Sequence, residues 1–483
     1  MVFSSYLFLF GFLPLALLFY FAAPRRFRNA VLTLVSYLFY GWVQPVYVLL
    51  LLGSTLLDWT CGLGIAGYRL GGPAPQALDP EGPRTPRQRR FLLLSILGNL
   101  SVLGFFKYFH FGLDTWNATV TAFGRESWTI QTALQVALPL GISFYTFQSL
   151  SYTIDVYRGR TRAMLNPVDF ACFVSMFPQL VAGPIVRFSE VAEQLRSRRT
   201  SLSLIARGAA FFCVGLAKKV LLANPCGKIA DTVFDATSTD PLTTWYGLFA
   251  YSFQIYFDFS GYSDMAIGLG LILGFILPKN FDQPYRARSL TDFWRRWHLS
   301  LSFWLRDYLY IPLGGNRKGK LRTYINLFLV MFLGGLWHGA SWNFALWGVL
   351  HGIWLALERA FGVERSYRQL PAWLSQALVF LGVSLLWIPF RAPNLEVAQD
   401  IFRRLLGLAN PDGAWTLVGD VVYSPYLVGT FLIAAAVTWA APPSWSFTRE
   451  IGWGKASWLV VLYGLSIAAL ATQKFNPFLY FIF

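Results

Sequence analysis

The sequence predicts an all-α, polytopic integral membrane protein, and three observations carry that reading. Apolar runs near the roughly 20 residues that a helix needs to cross hydrocarbon recur from one end to the other. Only 13% of the 483 residues are charged, about half the share that a soluble chain carries. The basic residues gather in short clusters between the apolar runs, as cytoplasmic loops do under the positive-inside bias.

Phe3–Ala23 opens the series. It lacks a basic leader, is too long for a signal core, and is followed by Arg25, Arg26 and Arg28, so it reads as an uncleaved span with the N-terminus outside. Ala30–Trp42 and Tyr47–Leu63 bring the chain back to a cytoplasmic loop, Pro73–Arg90. Phe91–Phe111 exits to a polar segment with Asn117, Arg125 and Glu126, and Thr132–Tyr157 returns. Phe170–Val186 holds Pro178, Gly183 and Pro184 and is basic on both flanks. A plain span there would break the charge rule, so a re-entrant or broken segment is expected, which membranes tolerate only where protein or a wet cavity surrounds it. Leu204–Leu222 crosses outward to a loop with Asp231, Asp235 and Asp240.

Thr243–Leu277 would be roughly 50 Å long as a helix, against a core of about 30 Å, so it must tilt, kink near Gly261 or extend into water. Phe293–Pro312 mixes tryptophans with Arg295, Arg296, Arg306 and Asp307, which fits an interfacial or re-entrant helix on the cytoplasmic side. Tyr324–Phe344, Ala345–Leu357, Ala372–Pro389, Pro425–Ala441 and Trp458–Leu470 complete roughly twelve spans, with both termini periplasmic. No repeat of fixed period appears, which argues against the repeat-built transporters.

A net charge of +16 invites a nucleic-acid reading, but the spans interrupt any continuous basic face, and anionic lipid head groups suit the clusters better. The four cysteines, Cys61, Cys172, Cys213 and Cys226, form no CxxC pair, so neither a metal site nor a disulfide framework is expected.

Histidine suits proton transfer near neutrality, and only four occur. His338 sits in Gly334-Gly335-Leu336-Trp337-His338-Gly339-Ala340-Ser341-Trp342, inside an apolar run. A polar ring at that depth is costly unless it is bonded or lines a wet cavity, which makes it a functional candidate, with small neighbours leaving room for a substrate. The plain alternative is a core histidine bonded to a carbonyl. His298 follows Asp292-Phe293-Trp294-Arg295-Arg296-Trp297, where the arginines suit either donor phosphates or head groups. His351 reads as packing and His110 as interfacial. Asp258 and Asp264, six residues apart, fall on different faces of a straight helix, and a bend at Gly261 would reunite them. They suit orienting a histidine, pairing with a basic residue on another helix, or a structural polar network. No GxSxG elbow, phosphate loop, dinucleotide fingerprint or HExxH helix is present.

Six stretches taken together resemble the membrane-bound O-acyltransferases, in the branch that acetylates bacterial polysaccharides. They are Leu138–Gln148, Phe177–Ile185, Asp258–Asp264, Phe293–Ser300, Gly335–Ser341 and Asn476-Pro477-Phe478. The resemblance spans nearly the whole chain, as one domain over 1–483 with its signature near 138–360. It implies a ring of about twelve helices, with re-entrant or interfacial pieces, around a central funnel. It also implies that His338 is catalytic with His298 as its second polar position. Donor or substrate contacts would fall to Arg295, Arg296, Asp258, Asp264, Gln179, Trp337 and Ser341 of the matched motifs. No bound cofactor and no metal are implied; acetyl-CoA or an acyl carrier would be the donor substrate.

The implied function is acetyl transfer across a bacterial inner membrane to an exported polysaccharide, alginate or one like it, with a periplasmic esterase-like (SGNH-type) transferase as partner. Peptidoglycan or cellulose acetylation is the alternative, D-alanine transfer to teichoic acid a more distant one, and a polysaccharide or lipid precursor transporter the rival class. His338 stands about 16 residues beyond the Arg317–Arg322 loop, roughly 24 Å of helical rise, so His298 and His338 are expected at different depths of one cavity.

Overall fold

The computed structural model describes residues 2–69, 71–362, 369–409, 415–473, 476, 478 and 479, among which the chain is helical and no strand occurs. Pro477 of the last motif lies outside the described residues. Among the described residues four helices are long and apolar enough to cross a membrane: Val46–Ile65, Pro86–Ala122, Ala372–Arg391 and Trp453–Thr472. A fifth span is Thr416–Val422 with Pro425–Ala440, if that pair, bent by 63°, crosses as one. Leu49, Leu97, Leu432 and Val460 point outward from these helices, a surface suited to lipid rather than water. The described chain forms two compact units.

The first unit holds Ser5–Arg199 and Gly274–Leu277. Its helices are α1 (Leu13–Ala22), α2 (Arg28–Gly41), α3 (Val46–Ile65), α4 (Pro86–Ala122), α5 (Ile142–Arg158), α6 (Pro167–Ser175), α7 (Phe177–Leu180) and α8 (Phe188–Arg196). α4 starts on a reciprocal cap, in which the Gln88 N–H donates to Thr85 Oγ1 and the Thr85 N–H to Gln88 Oε1, with Pro86 in the first turn. It runs on through Asn117 to Ala122, well past the expected exit at Phe111.

The expected span Thr132–Tyr157 is corrected, because helix forms only from Ile142. Pro139 disfavours helix before it, and Gly141 takes a left-handed φ of 73° where a Cβ would meet the Leu180 carbonyl oxygen at 2.6 Å. The broken segment at Pro178 is present. α6 stops at Ser175, the freed Phe177 N–H donates to Ser36 Oγ at 3.0 Å, and Gln179 Nε2 donates to the Phe173 carbonyl at 2.8 Å. Those bonds supply the partners that broken backbone needs away from water. Buried Asp58 on α3 accepts from Ser95 Oγ at 2.6 Å and from Asn99 Nδ2 at 2.9 Å, tying α3 to α4 through a carboxylate that the sequence reading passed over.

The second unit holds Val2–Ser4, Thr200–Leu273 and the chain from Pro278 onward. α9 (Leu202–Ala217) continues through a π-helical turn, Lys218–Ala223, into α10 (Asn224–Phe234). Pro225 follows that turn and has no N–H to donate, which suits a local change of hydrogen-bond register. α11 (Pro241–Leu273) runs as one unbroken helix through Gly261, where the glycine serves close packing against α9. Gly215 and Gly208 of α9 face Gly261 and Gly268 of α11, and a Cβ on Gly215 would come within 2.5 Å of the Gly261 carbonyl oxygen. Small residues let the two backbones approach closely, as in other membrane helix pairs.

Beyond α11, the expected single helix of Phe293–Pro312 is in pieces: α12 (Leu290–Trp294), α13 (Leu299–Leu305) and a π turn, Arg306–Tyr310. α14 (Lys320–His338) and α15 (Trp342–Ala360) form a hairpin. The expected span Tyr324–Phe344 therefore ends six residues early, at His338. The Ala372–Arg391 helix lies against α15 and α11. Tyr285, Phe293, Trp297, Trp347, Trp387 and Phe390 are buried together in this unit's core.

Candidate functional site: a buried histidine pair

His298 and His338 come together in the second unit. Their ring centroids are 6.4 Å apart, so their depths differ by no more than that. The expected difference in depth within one cavity is therefore limited to that distance. The rise arithmetic is sound for α14, whose last residue is His338, but His298 does not lie on a surface helix. It is completely buried at the start of α13, in a left-handed conformation with φ 44°. A non-glycine residue rarely holds that backbone unless its surroundings dictate it, and such positions cluster at functional sites.

The two imidazoles have aromatic walls. His298 meets the Phe259 ring at 4.7 Å and Trp337 at 6.1 Å. His338 meets Trp337 at 5.0 Å, Trp347 at 5.3 Å and Phe390 at 5.4 Å, and it keeps a small exposure of 6%. Gly335, Gly339 and Gly348 near His338 serve packing instead of leaving room for a substrate. A Cβ on Gly335 would fall 2.3 Å from the Phe344 carbonyl oxygen, one on Gly339 2.0 Å from the Phe344 ring, and one on Gly348 2.3 Å from the Met331 carbonyl oxygen. They let α14 and α15 meet backbone to backbone, which fixes where α14 ends and so where His338 stands.

Hydrogen bonds hold the His298 side. Asn280 Oδ1 accepts from the Ser300 N–H at 3.2 Å and from Ser300 Oγ at 2.8 Å, and it lies 3.2 Å from His298 Nδ1. The Leu299 N–H donates to the Asn280 carbonyl at 2.9 Å, and the Asp282 N–H to that of Arg296 at 2.9 Å, so the 280–282 loop is clipped along the His298 segment. Upstream, buried Glu358 of α15 accepts from the N–H groups of Leu290 and Thr291, capping α12 with a carboxylate where the helix dipole favours one. Trp294 Nε1 donates to His351 Nδ1 at 3.3 Å, which makes His351 a buried anchor for α12. His298 lies outside the spanning helices, and burial pushes its pKa down to about 3, so the ring stays neutral and offers a lone pair to a hydrogen-bond donor rather than taking up a proton.

The other sequence candidates scatter. Trp337 is part of the pair's wall. Arg296 gives its Nε to Asp292 at 2.8 Å, within its own segment, while Arg295 is exposed. Ser341 begins α15 without a side-chain cap. Gln179 belongs to the first unit, in the α6–α7 break described above. Asp258 pairs with Lys219 at 2.6 Å and accepts the Leu479 N–H at 2.9 Å. Asp264 pairs with Lys218 at 2.7 Å and accepts from Ser444 Oγ at 2.6 Å. The two aspartates thus stay on different faces of α11 and meet consecutive lysines of the π turn, so of the offered roles it is pairing across helices that holds. Sequence reasoning passed over Lys218, Lys219, Asn280 and Glu358. For the lysines a signal existed, since two ammonium groups in an apolar run need acidic partners. His110 accepts the Val136 N–H at 3.1 Å and is structural. Among the described residues no group of three His, Cys, Asp or Glu side chains converges as a metal site would require.

A helical chain with an outward-facing apolar surface and a buried pair of imidazoles beside tryptophans is a multi-pass membrane protein. Comparison with known proteins makes the class specific. The chain belongs to the MBOAT, membrane-bound O-acyltransferase family, whose model matches residues 126–390, and it is an O-acyltransferase. It is 42% identical to the probable alginate O-acetylase AlgI of Pseudomonas putida over 506 aligned positions that take in the whole of both chains. To the protein of the same name in Pseudomonas aeruginosa it is 45% identical, over 90% of this chain and 80% of that one. To the peptidoglycan O-acetyltransferase of Helicobacter pylori it is 39% identical, over 84% of this chain and 80% of that one.

Proposed function

We propose that this chain transfers acetyl groups from a cytoplasmic thioester, acetyl-CoA or an acyl carrier, for O-acetylation of an exported polysaccharide, with alginate the first acceptor to test. The observation that carries the reading is the convergence of His298 and His338 within one buried aromatic cluster, in a chain whose full-length relatives are named for alginate acetylation. His338 acts as the base that takes the acceptor's proton while the acyl carbon is attacked, and His298 holds the substrate beside it. Trp337 forms the wall between them, and Arg295 is the remaining candidate for the donor's phosphates. General acid–base assistance of this kind contributes about 10²–10⁴-fold, and positioning supplies more.

In this reading the helices close a ring of about twelve around a funnel in the bacterial inner membrane, with both termini periplasmic. A periplasmic esterase-like transferase of the SGNH type completes the delivery. Cysteine accessibility scanning tests the topology: reagents confined to the periplasm should label neither Pro73–Arg90 nor Asn316–Arg322, and labelling of either loop would overturn the threading. Peptidoglycan acetylation is the second reading, favoured by the Helicobacter pylori relative.

Proteoliposomes loaded with radiolabelled acetyl-CoA test the function. Label should become covalently attached to an alginate acceptor, or to the periplasmic partner, on the opposite side. Movement of unmodified glycan or lipid with no acetyl transfer would instead establish a transporter.

A further inference from the structure

Asn280 decides which nitrogen of His298 carries the proton. Its side-chain oxygen is identified by a neighbour that cannot be reversed, the backbone N–H of Ser300, which donates to Oδ1 at 3.2 Å. Turning the amide over would set an NH₂ group against that N–H. Ser300 Oγ has one hydrogen to give, and it lies 2.8 Å from Asn280 Oδ1 but 3.5 Å from His298 Nδ1, so the hydrogen goes to the asparagine. His298 Nδ1 then faces an oxygen at 3.2 Å with no hydrogen between them except its own. The ring must be protonated at Nδ1. Nε2, buried and with no hydrogen-bond partner among the described residues, is left as a bare lone pair. Free histidine in water favours the opposite tautomer, so the protein imposes this one.

We propose that Asn280 is a positioning residue that locks His298 as its Nδ1–H tautomer, so that Nε2 meets the substrate only as an acceptor. The inference rests on the reading that His298 and His338 form the acyl-transfer site, and it sharpens His298's part in it. A substrate group placed on Nε2 must bring its own hydrogen, as a hydroxyl or an amide N–H does. A carbonyl oxygen or a phosphate oxygen without a proton is refused. The donor's thioester oxygen is therefore not held by His298, and the ligand class that His298 selects is a hydrogen-bond donor.

The tautomer is measurable without turnover. Nitrogen-15 NMR of histidine-labelled protein in lipid, with His298→Ala to assign the signal among four histidines, should show His298 protonated at Nδ1 and bare at Nε2. Asn280→Asp keeps the accepting oxygen and should keep that pattern. Asn280→Ala should lose it, with kcat falling while KM for the donor changes little. In a His298→Ala background, Asn280→Ala should cost nothing further. An Nε2–H signal in the wild type, or an added loss in that background, would overturn the proposal. If the tautomer is as stated but His298→Ala leaves acetylation intact, the lock stands as structure and the reading of the site is what fails.

Discussion

Replacing His338 with alanine is expected to remove acetylation of the exported polymer while the protein still inserts and folds. The ring is 6% exposed and ends α14, and its neighbours Trp337, Trp347 and Phe390 supply no other group that exchanges protons near neutrality. Loss of a general base alone lowers turnover by about 10²–10⁴-fold, which in cells reads as unacetylated product. His338→Gln keeps much of the volume and polarity and should be equally inactive, which separates lost chemistry from lost packing. Acetyl content of polymer from cells with normal amounts of each variant checks this; near-normal content would sink the assignment.

The second large effect is on stability. Asp258 and Lys219 are 1% and 3% exposed and 2.6 Å apart, and the aspartate also accepts the Leu479 N–H. Removing one member of a buried ion pair strands the other charge, at a cost of about 3–5 kcal/mol, whereas replacing both with apolar groups of similar size is often neutral or better. Asp258→Ala should therefore lower the thermal midpoint of the detergent-solubilised protein strongly, and Asp258→Leu with Lys219→Met should restore most of it. The expected order reverses if Asp258 serves chemistry: the single variant would then keep its stability and lose activity.

Much of this architecture is legible in the sequence because lipid imposes a coarse code. Apolar runs mark helices and a proline between basic flanks marks the break at Phe177, but the arginines read as loop do not all lie in loops, since Arg87, Arg89 and Arg90 form the first turns of α4. The pairing of His298 with His338 is legible through motif resemblance. What escapes is whatever depends on contacts distant along the chain. Gly335 and Gly339 suggest space in the sequence, yet each is filled by Phe344, through its carbonyl or its ring. Asn280 looks like a turn residue after Pro278 and Lys279, and only the folded loop brings its oxygen to His298. The rise along α14 is counted correctly, but depth was assigned to His298 from an amphipathic pattern that the chain breaks into short helices.

The central claim is that the two histidines are one acyl-transfer site, and a double-mutant cycle in reconstituted vesicles tests it most directly. Labelled acetyl transfer is measured for wild type, His298→Ala, His338→Ala and the double variant. Residues that act as a unit are strongly non-additive, so the double variant should be no slower than His338→Ala alone. Independent losses that multiply in the double variant would contradict the account.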